Sequence, residues 1–238
     1  MPKRWTRGTI VKLPNKGDLS NCNNWGGITL LPIPGKAFCS VLLERIKKEI
    51  DKKLREHQAG FRSGRSCIEQ IYTLRHIIQQ SLEFQQDIYI NFIDFKKAFD
   101  SIHRDSLWKI SRSYGIPDKY INLFKLIYEN SSCNIRTQTG VTDSFNIVTG
   151  VRQGCILSPF LFLLVIDFVM RKTFEDKEWG INMSHGNLSD LDFADDIALL
   201  ANKLQQLQEM TSSLEENAAK VGLQISSEKT SLDDNNYR

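Results

Sequence analysis

Apolar residues along this chain recur with two different periods, and the switches between them mark out the elements. Phe38, Val41, Leu42, Ile46 and Ile50 recur at helical spacing among lysines, which predicts a helix over residues 36–57. A loop, Gln58-Ala59-Gly60-Phe61-Arg62-Ser63-Gly64-Arg65-Ser66, separates it from a second helix over 67–84. Ile88, Ile90 and Phe92 then alternate with Tyr89 and Asn91, the period-2 pattern of a half-buried strand that ends at Asp94. Lys96 to Tyr114 reads as one helix closed by Gly115 and Pro117, and 118–130 as another. Short strands follow at 132–138 and 144–150, with a turn through Gly140. Ser158-Pro159 opens a buried helix that reaches Lys172, since serine caps a helix and proline is tolerated in its first turn. The apolar segments 191–194 and 197–200 are separated by Asp195-Asp196, which predicts a hairpin with two carboxylates at its tip. A last helix carries Leu204, Leu207, Met210, Leu214 and Val221 and stops at Gly222. Residues 1–35, rich in Gly, Pro and Asn, predict loops and short strands.

The 238 residues carry 31 Lys/Arg and 28 Asp/Glu, a formal net charge of +3, with 41% hydrophobic and 25% charged residues. These ordinary globular values exclude low-complexity, collagen-like and wholly disordered chains. The length allows one large domain or two small lobes. The small net charge hides a split. Residues 1–85 hold 15 Lys/Arg against 7 Asp/Glu, whereas 86–238 hold 16 against 21. A basic part joined to an acidic remainder suits a polyanion held by one and metal or chemistry in the other. The five cysteines, at 22, 39, 67, 133 and 155, are widely spaced and form no CxxC pair. Neither a disulfide framework nor a zinc site is expected, and reduced thiols in an intracellular protein are the simplest reading. The basic N-terminus has no apolar run behind it, and the longest apolar run, 155–170, is interrupted by Pro159 and Asp167. No signal peptide or transmembrane segment is expected, and the choice between cytoplasm and nucleus stays open.

Asp94 closes a predicted strand and Asp195 stands at a predicted hairpin tip. Carboxylates at the ends of neighbouring strands can converge, and they are hard oxygen ligands suited to Mg²⁺. A pair of such ions can activate an attacking hydroxyl and stabilise a leaving oxygen in phosphoryl transfer. Asp195 and Asp196 point opposite ways on a strand, so only one of them is expected as a full ligand. Taken alone, an Asp-Asp turn is usually a solvated hairpin tip. Arg62 and Arg65 flank Gly64, and guanidinium forks bind phosphate oxygens bidentately, although such a loop is more often a basic surface turn. Gly35-Lys36 is not a nucleotide phosphate loop, because Ala37 stands where Ser or Thr is required. His103-Arg104-Asp105 lacks the downstream asparagine of a kinase loop, position 110 being Ile110, and reads as exposed residues at a helix start. His57, His76 and His185 show no metal-ligand spacing and read as surface or structural.

Six segments occur in order: NNWGGITLLPIPGKAF, QAGFRSGRS, INFIDFKKAFDSI, GVRQGCILSPFLF, FADD and GLQISSEKT. In this order they resemble the reverse transcriptases of non-LTR (LINE-type) retrotransposons and, more distantly, those of group II introns. The resemblance covers nearly the whole chain, from about residue 9 to 230. It implies an α+β right-hand polymerase fold with an antiparallel palm sheet. Residues 1–85 would form a basic fingers segment, completed by 116–150, and 86–238 an acidic palm. It implies RNA-directed DNA polymerase activity, with two Mg²⁺ ions, or Mn²⁺, as cofactors. RNA template, DNA primer and dNTPs would be the partners. Asp94, the backbone carbonyl of Phe95 and Asp195 look like metal ligands, with Asp196 beside them as a further catalytic acid. Arg62, with Arg65, resembles the fingers arginine on the incoming triphosphate. Phe99 resembles a steric gate against a ribose 2′-OH, with a core aromatic as the alternative. Gln153 and Gly154 resemble the nucleotide floor, and Lys229 a lysine that protonates departing pyrophosphate. Position 26 is glycine where relatives commonly carry arginine. The expected thumb and endonuclease are missing, which suggests a piece of a larger retroelement polypeptide. The competing reading is a truncated remnant that folds and binds nucleic acid without productive synthesis.

Overall fold

The computed structural model of the chain describes residues 1–14, 17–129, 131–183, 186–226 and 230–233. In chain order the elements are β1 (Arg7–Pro14), β2 (Trp25–Leu30), α1 (Ile33–Asp51), α2 (Cys67–Glu83), β3 (Tyr89–Ile93), α3 (Ala98–Ser101), α4 (Arg104–Ser113) and α5 (Asp118–Tyr128). They continue with β4 (Ser132–Thr137), β5 (Gly140–Val141), β6 (Phe145–Asn146), α6 (Ser158–Phe174), β7 (Ile181–Met183), β8 (Gly186–Leu188), β9 (Asp190–Phe193), β10 (Asp196–Ala201), α7 (Leu204–Ala219) and β11 (Ser231–Asp233). Among the described residues no helix is long and apolar enough to cross a membrane.

Two compact units emerge, each built from two stretches of chain: 1–52 with 102–161, and 53–101 with 162–238. The basic stretch 53–85 therefore packs within the second unit. In the first unit, β1 pairs antiparallel with β2 from Thr9↔Leu30 to Pro14↔Trp25, and parallel with β4. The expected short strands near the N-terminus are thus a full hairpin, with Gly26 opposite Leu13.

The expected strand over 144–150 shrinks to Phe145–Asn146 for a physical reason. Arg104 takes the carbonyls that a ladder partner would take. Its Nε donates to Gly150 O at 3.1 Å, Nη1 to Tyr128 O and Ile147 O at 3.0 Å each, and Nη2 to Thr149 O at 3.3 Å. Its guanidinium also lies over the Tyr128 ring, 5.3 Å from the centroid. Residues 103–105 do stand at a helix start with His103 and Asp105 exposed, but Arg104 departs from the expected exposure and is half-buried at the centre of a loop network. The helix expected over 96–114 is likewise broken. Gly150 N donates to the carbonyl of the fully buried Ile102, and a fresh helix, α4, begins with His103 at its N-cap position and no side-chain capping bond from it.

The second unit is a four-stranded antiparallel sheet in the order β11-β3-β10-β9. Strand alternation sends Ile90 and Ala198 to one face, where they cluster with Leu191, Leu200 and Ile77 of α2. Asn91 points to the other face and donates to Thr211 Oγ1 of α7 at 2.9 Å. Leu207, Met210, Leu214 and Ala218 of α7 are buried at helical spacing. The α2 helix starts where it does because Ser66 and Glu69 form a reciprocal capping box. Leu200 is fully buried between these layers. Leu200→Ala is expected to cost about 2–5 kcal/mol through lost transfer energy and the cavity left behind, read as a lowered urea midpoint at unchanged m-value.

Candidate active site

Strand β3 pairs with β10 from Tyr89↔Ala201 to Ile93↔Ile197. One step further, the same register aligns Asp94 with Asp196. Residues directly opposite in a ladder share a face, and both acids line an open cleft of about 260 Å³ whose remaining wall includes Ile71, Phe92 and Phe193. The turn between β9 and β10 is Ala194-Asp195, because Asp196 already pairs with Phe193. The expected Asp195-Asp196 tip is therefore shifted by one residue. Asp195 sits half-buried in the turn, and Asp196 opens β10 exposed. Ala194 has a φ of 60°. A two-residue hairpin wants positive φ at its first central position, where glycine is the usual occupant and a Cβ costs about 1–2 kcal/mol.

Just past Asp94, Phe95 bridges Ile225 in antiparallel sense, flanked by Lys96 N→Gln224 O at 2.8 Å and Ser226 N→Asp94 O at 2.8 Å. In that pattern the polar groups of the bridged residue itself point away from the partner strand. The Phe95 carbonyl thus faces the β10 side of β3.

The loop that precedes α2 lies along the hairpin. Asp192 N donates to His57 O at 3.1 Å and Ala59 N to Asp192 O at 2.9 Å, a parallel bridge. Beneath it lies a buried charge cluster that the sequence reading missed. Arg55 Nη2 donates to Asp190 Oδ1 at 2.6 Å and Oδ2 at 2.8 Å, and Nη1 to Asp192 Oδ2 at 3.4 Å. His57 Nδ1 lies 3.3 Å from Asp190 Oδ1. The backbone N of Arg55 donates to Asp167 Oδ1 at 2.7 Å, and Arg171 Nε bonds the other Asp167 oxygen at 2.8 Å. Both β9 acids have side chains at most 1% exposed.

Burial works against the Arg55 charge, but Asp190 and Asp192 outweigh it and raise its pKa. Burial likewise disfavours the Asp190 carboxylate, yet the bonds from His57 and Arg55 hold it below its ordinary 3.8. Asp192 goes the other way. Burial and the neighbouring Asp190 push it well above the usual range, because the one guanidinium is already matched by Asp190. The signal in the sequence was acids at positions 190 and 192, alternate residues of a strand and hence on one face.

Arg62 Nη1 donates to Arg55 O at 2.7 Å and Gln58 O at 3.0 Å, bracing the loop. Arg65 pairs with the Glu56 carboxylate and donates to Glu56 O. Phe99 stacks on Phe162 with centroids 4.4 Å apart, and Phe61 meets it edge-on at 6.5 Å. Its ring is half-buried, so both the gate and the core role have a physical basis. Gln153 and Gly154 belong to the first unit. There the Gln153 carbonyl accepts from Thr29 N at 3.1 Å. Gly154 has φ +92°, and a Cβ on it would stand 2.3 Å from Thr29 O, so only glycine is accommodated. Lys229 lies outside the described residues.

The donor set near the hairpin is two or three carboxylates and a carbonyl, all hard oxygens that fit a divalent cation such as Mg²⁺ or Mn²⁺. Among the described residues no three His, Cys, Asp or Glu side chains form a ready-made metal cage. Mg²⁺ keeps waters and uses one or two carboxylates plus substrate phosphates, so an open pair of acids suits it.

A family described as "Reverse transcriptase (RNA-dependent DNA polymerase)" matches residues 13–235. The chain is 24% identical over 239 residues to the transposon TX1 uncharacterized 149 kDa protein of Xenopus laevis, covering 97% of this chain and 18% of that protein. It is 27% identical over 190 residues to the retrovirus-related Pol polyprotein from the type-2 retrotransposable element R2DM of Drosophila melanogaster, covering 80% of this chain and 18% of the relative. The chain thus spans less than a fifth of the length of these curated relatives. Among solved structures, apo telomerase from Candida tropicalis, truncated from the C-terminal domain, superposes with a TM-score of 0.72 at 16% identity, over 96% of this chain and 50% of that one. Telomerase from Candida albicans, with a TWJ fragment of telomeric RNA, gives 0.71 at 11% identity, over 100% of this chain and 44% of that one. These likenesses establish the right-hand polymerase fold with its antiparallel sheet.

The buried cluster carries a stability prediction. Arg55→Met keeps the volume but strands two acids, and is expected to cost about 3–5 kcal/mol at pH 7. Because the folded pKa of Asp190 is lowered, its contribution is complete above the unfolded pKa and is lost as pH falls through the folded value. The gap between wild type and variant should narrow below about pH 4, as measured by urea denaturation across pH.

Proposed function

The chain belongs to the reverse transcriptase family, and on that footing we propose that it is an RNA-directed DNA polymerase domain that extends a primer 3′-OH with dNTPs on an RNA template. The observation that carries this reading is the β3–β10 register, which aligns Asp94 with Asp196 and leaves Asp195 in the adjoining turn. Residues 1–85, with 116–150, would act as fingers and 86–238 as palm. Asp94, Asp195 and the Phe95 carbonyl would hold two Mg²⁺ ions, or Mn²⁺, which supply activation of the primer hydroxyl and neutralisation of triphosphate charge.

The chain's own residues do the rest. The primer 3′-OH gives up its proton to solvent as its oxygen bonds to the α-phosphorus, the bond to the bridging oxygen breaks and pyrophosphate departs. Arg62, its plane fixed by two loop carbonyls, and Arg65 balance charge on the triphosphate. The Phe99 ring, backed by Phe162, excludes a 2′-OH. Gln153 and Gly154 form the floor under the nucleotide, and Lys229 gives a proton to the leaving group. Template sequence is read by base pairing, so the protein needs only phosphate and shape contacts. Positioning and electrostatics supply most of the barrier reduction.

The test is Mg²⁺-dependent primer extension on an RNA template by the purified 238-residue chain beside Asp195→Asn. Wild type should extend, and the variant should fall by about 100-fold or more. Equal background product from both overturns the reading. Phe99→Ala should raise rNTP over dNTP incorporation roughly 10–200-fold. Unchanged sugar selectivity assigns Phe99 to the core instead.

A further inference from the structure

Gln58 is fully buried, 0% exposed, and its amide is spent on the acidic hairpin. Its Nε2 donates to Ala194 O at 3.1 Å. Its Oε1 accepts from Ala194 N at 2.8 Å and from Gly60 N at 2.7 Å. The orientation of the amide is unambiguous, because the oxygen faces two N–H groups and the nitrogen faces a carbonyl. One side chain therefore satisfies both polar groups of a residue whose φ is +60°.

Three further contacts lock the loop to that turn. The parallel bridge at Asp192 fixes its direction. Arg62 bonds the Gln58 carbonyl. Gly60 lies so close that a Cβ on it would stand 2.2 Å from Ala194 N. The residue after Ala194 is Asp195. An alanine in a left-handed conformation persists only where its surroundings over-determine it, and Gln58 is the group that does so.

We propose that Gln58 is a positioning residue, whose amide clamps the Ala194 peptide and thereby sets where the Asp195 carboxylate stands. This rests on the reading of Asp195 as a metal ligand. Gln58 touches neither metal nor nucleotide in it. Its effect on the metal is that of an outer partner that orients a ligand, a role whose loss typically weakens metal affinity 10–100-fold. Gln58→Met keeps the length and apolar stem and removes the three hydrogen bonds of the side-chain amide, leaving the backbone bond from Arg62 in place.

The experiment uses the full chain and Mn²⁺ alone as the probe, with bound ion read by the loss of the free Mn²⁺ EPR signal. Asp94→Asn serves as the ligand control. Gln58→Met should bind Mn²⁺ about 10–100-fold more weakly than wild type, and in primer extension kcat should fall while the dNTP KM holds. A purely structural role would lower the melting temperature without that split. Wild-type binding matched by Gln58→Met, with equal kcat, overturns the clamp and leaves the metal reading standing. A wild-type chain that takes up no Mn²⁺ overturns the metal reading and the clamp's function with it. Should Gln58→Met not fold, amide exchange in wild type decides. The Ala194 N–H should be protected like the β9 and β10 amides, and exchange at the rate of an exposed turn overturns the clamp.

Discussion

Arg55 is the group on which the second unit turns. It brings one positive charge under β9 and meets two buried carboxylates, so the strand can place Asp190 and Asp192 inside only while that guanidinium stays. Buried ion pairs are poor sources of net stability, because desolvation offsets most of the attraction. Their value lies in what they forbid. A one-residue slip of β9 would turn Leu191 onto the guanidinium and both acids into the apolar cluster of Ile77, Ile90 and Leu200. The register of β9, and hence the place of the turn after it, is fixed by charge as much as by packing.

That turn carries a small, local strain. A glycine at position 194 would relieve it, yet would also widen the range of turns open to the hairpin. Alanine held by a buried amide gives a narrower set of positions for the next residue. The second unit in this way trades a little backbone energy for definition at Asp195. By contrast, Gly154 in the first unit answers to a direct steric demand, the approach of Thr29 O.

Much of this was legible in the sequence, and the misses share a cause. The α7 helix follows apolar periodicity closely, since one face of it meets a core, whereas β3 is covered on both faces, so that Asn91 is buried and Phe92 stays partly exposed. The acids at 94, 195 and 196 stood out because their neighbours are apolar. Asp-Asp is good local turn chemistry and draws the expected hairpin tip one residue along, whereas the left-handed Ala194 is imposed from Gln58, 136 positions away. Arg104 looked like a surface residue for the same reason. Its partners lie 24 to 46 residues further on, and no local pattern records them.

The distance between Arg55 and its acids also bears on how the protein comes into being. The guanidinium is synthesised 135 residues before Asp190. At about 5–20 residues per second, the ribosome takes roughly 7–27 s to supply the partner. During that interval α2 can coil and its cap can close, since both are local, but the face that will receive β9 stays open. Contacts of such long sequence separation form late and slowly. The acidic hairpin therefore takes shape only after α2 and its cap, once β9 has been made and can meet the waiting guanidinium.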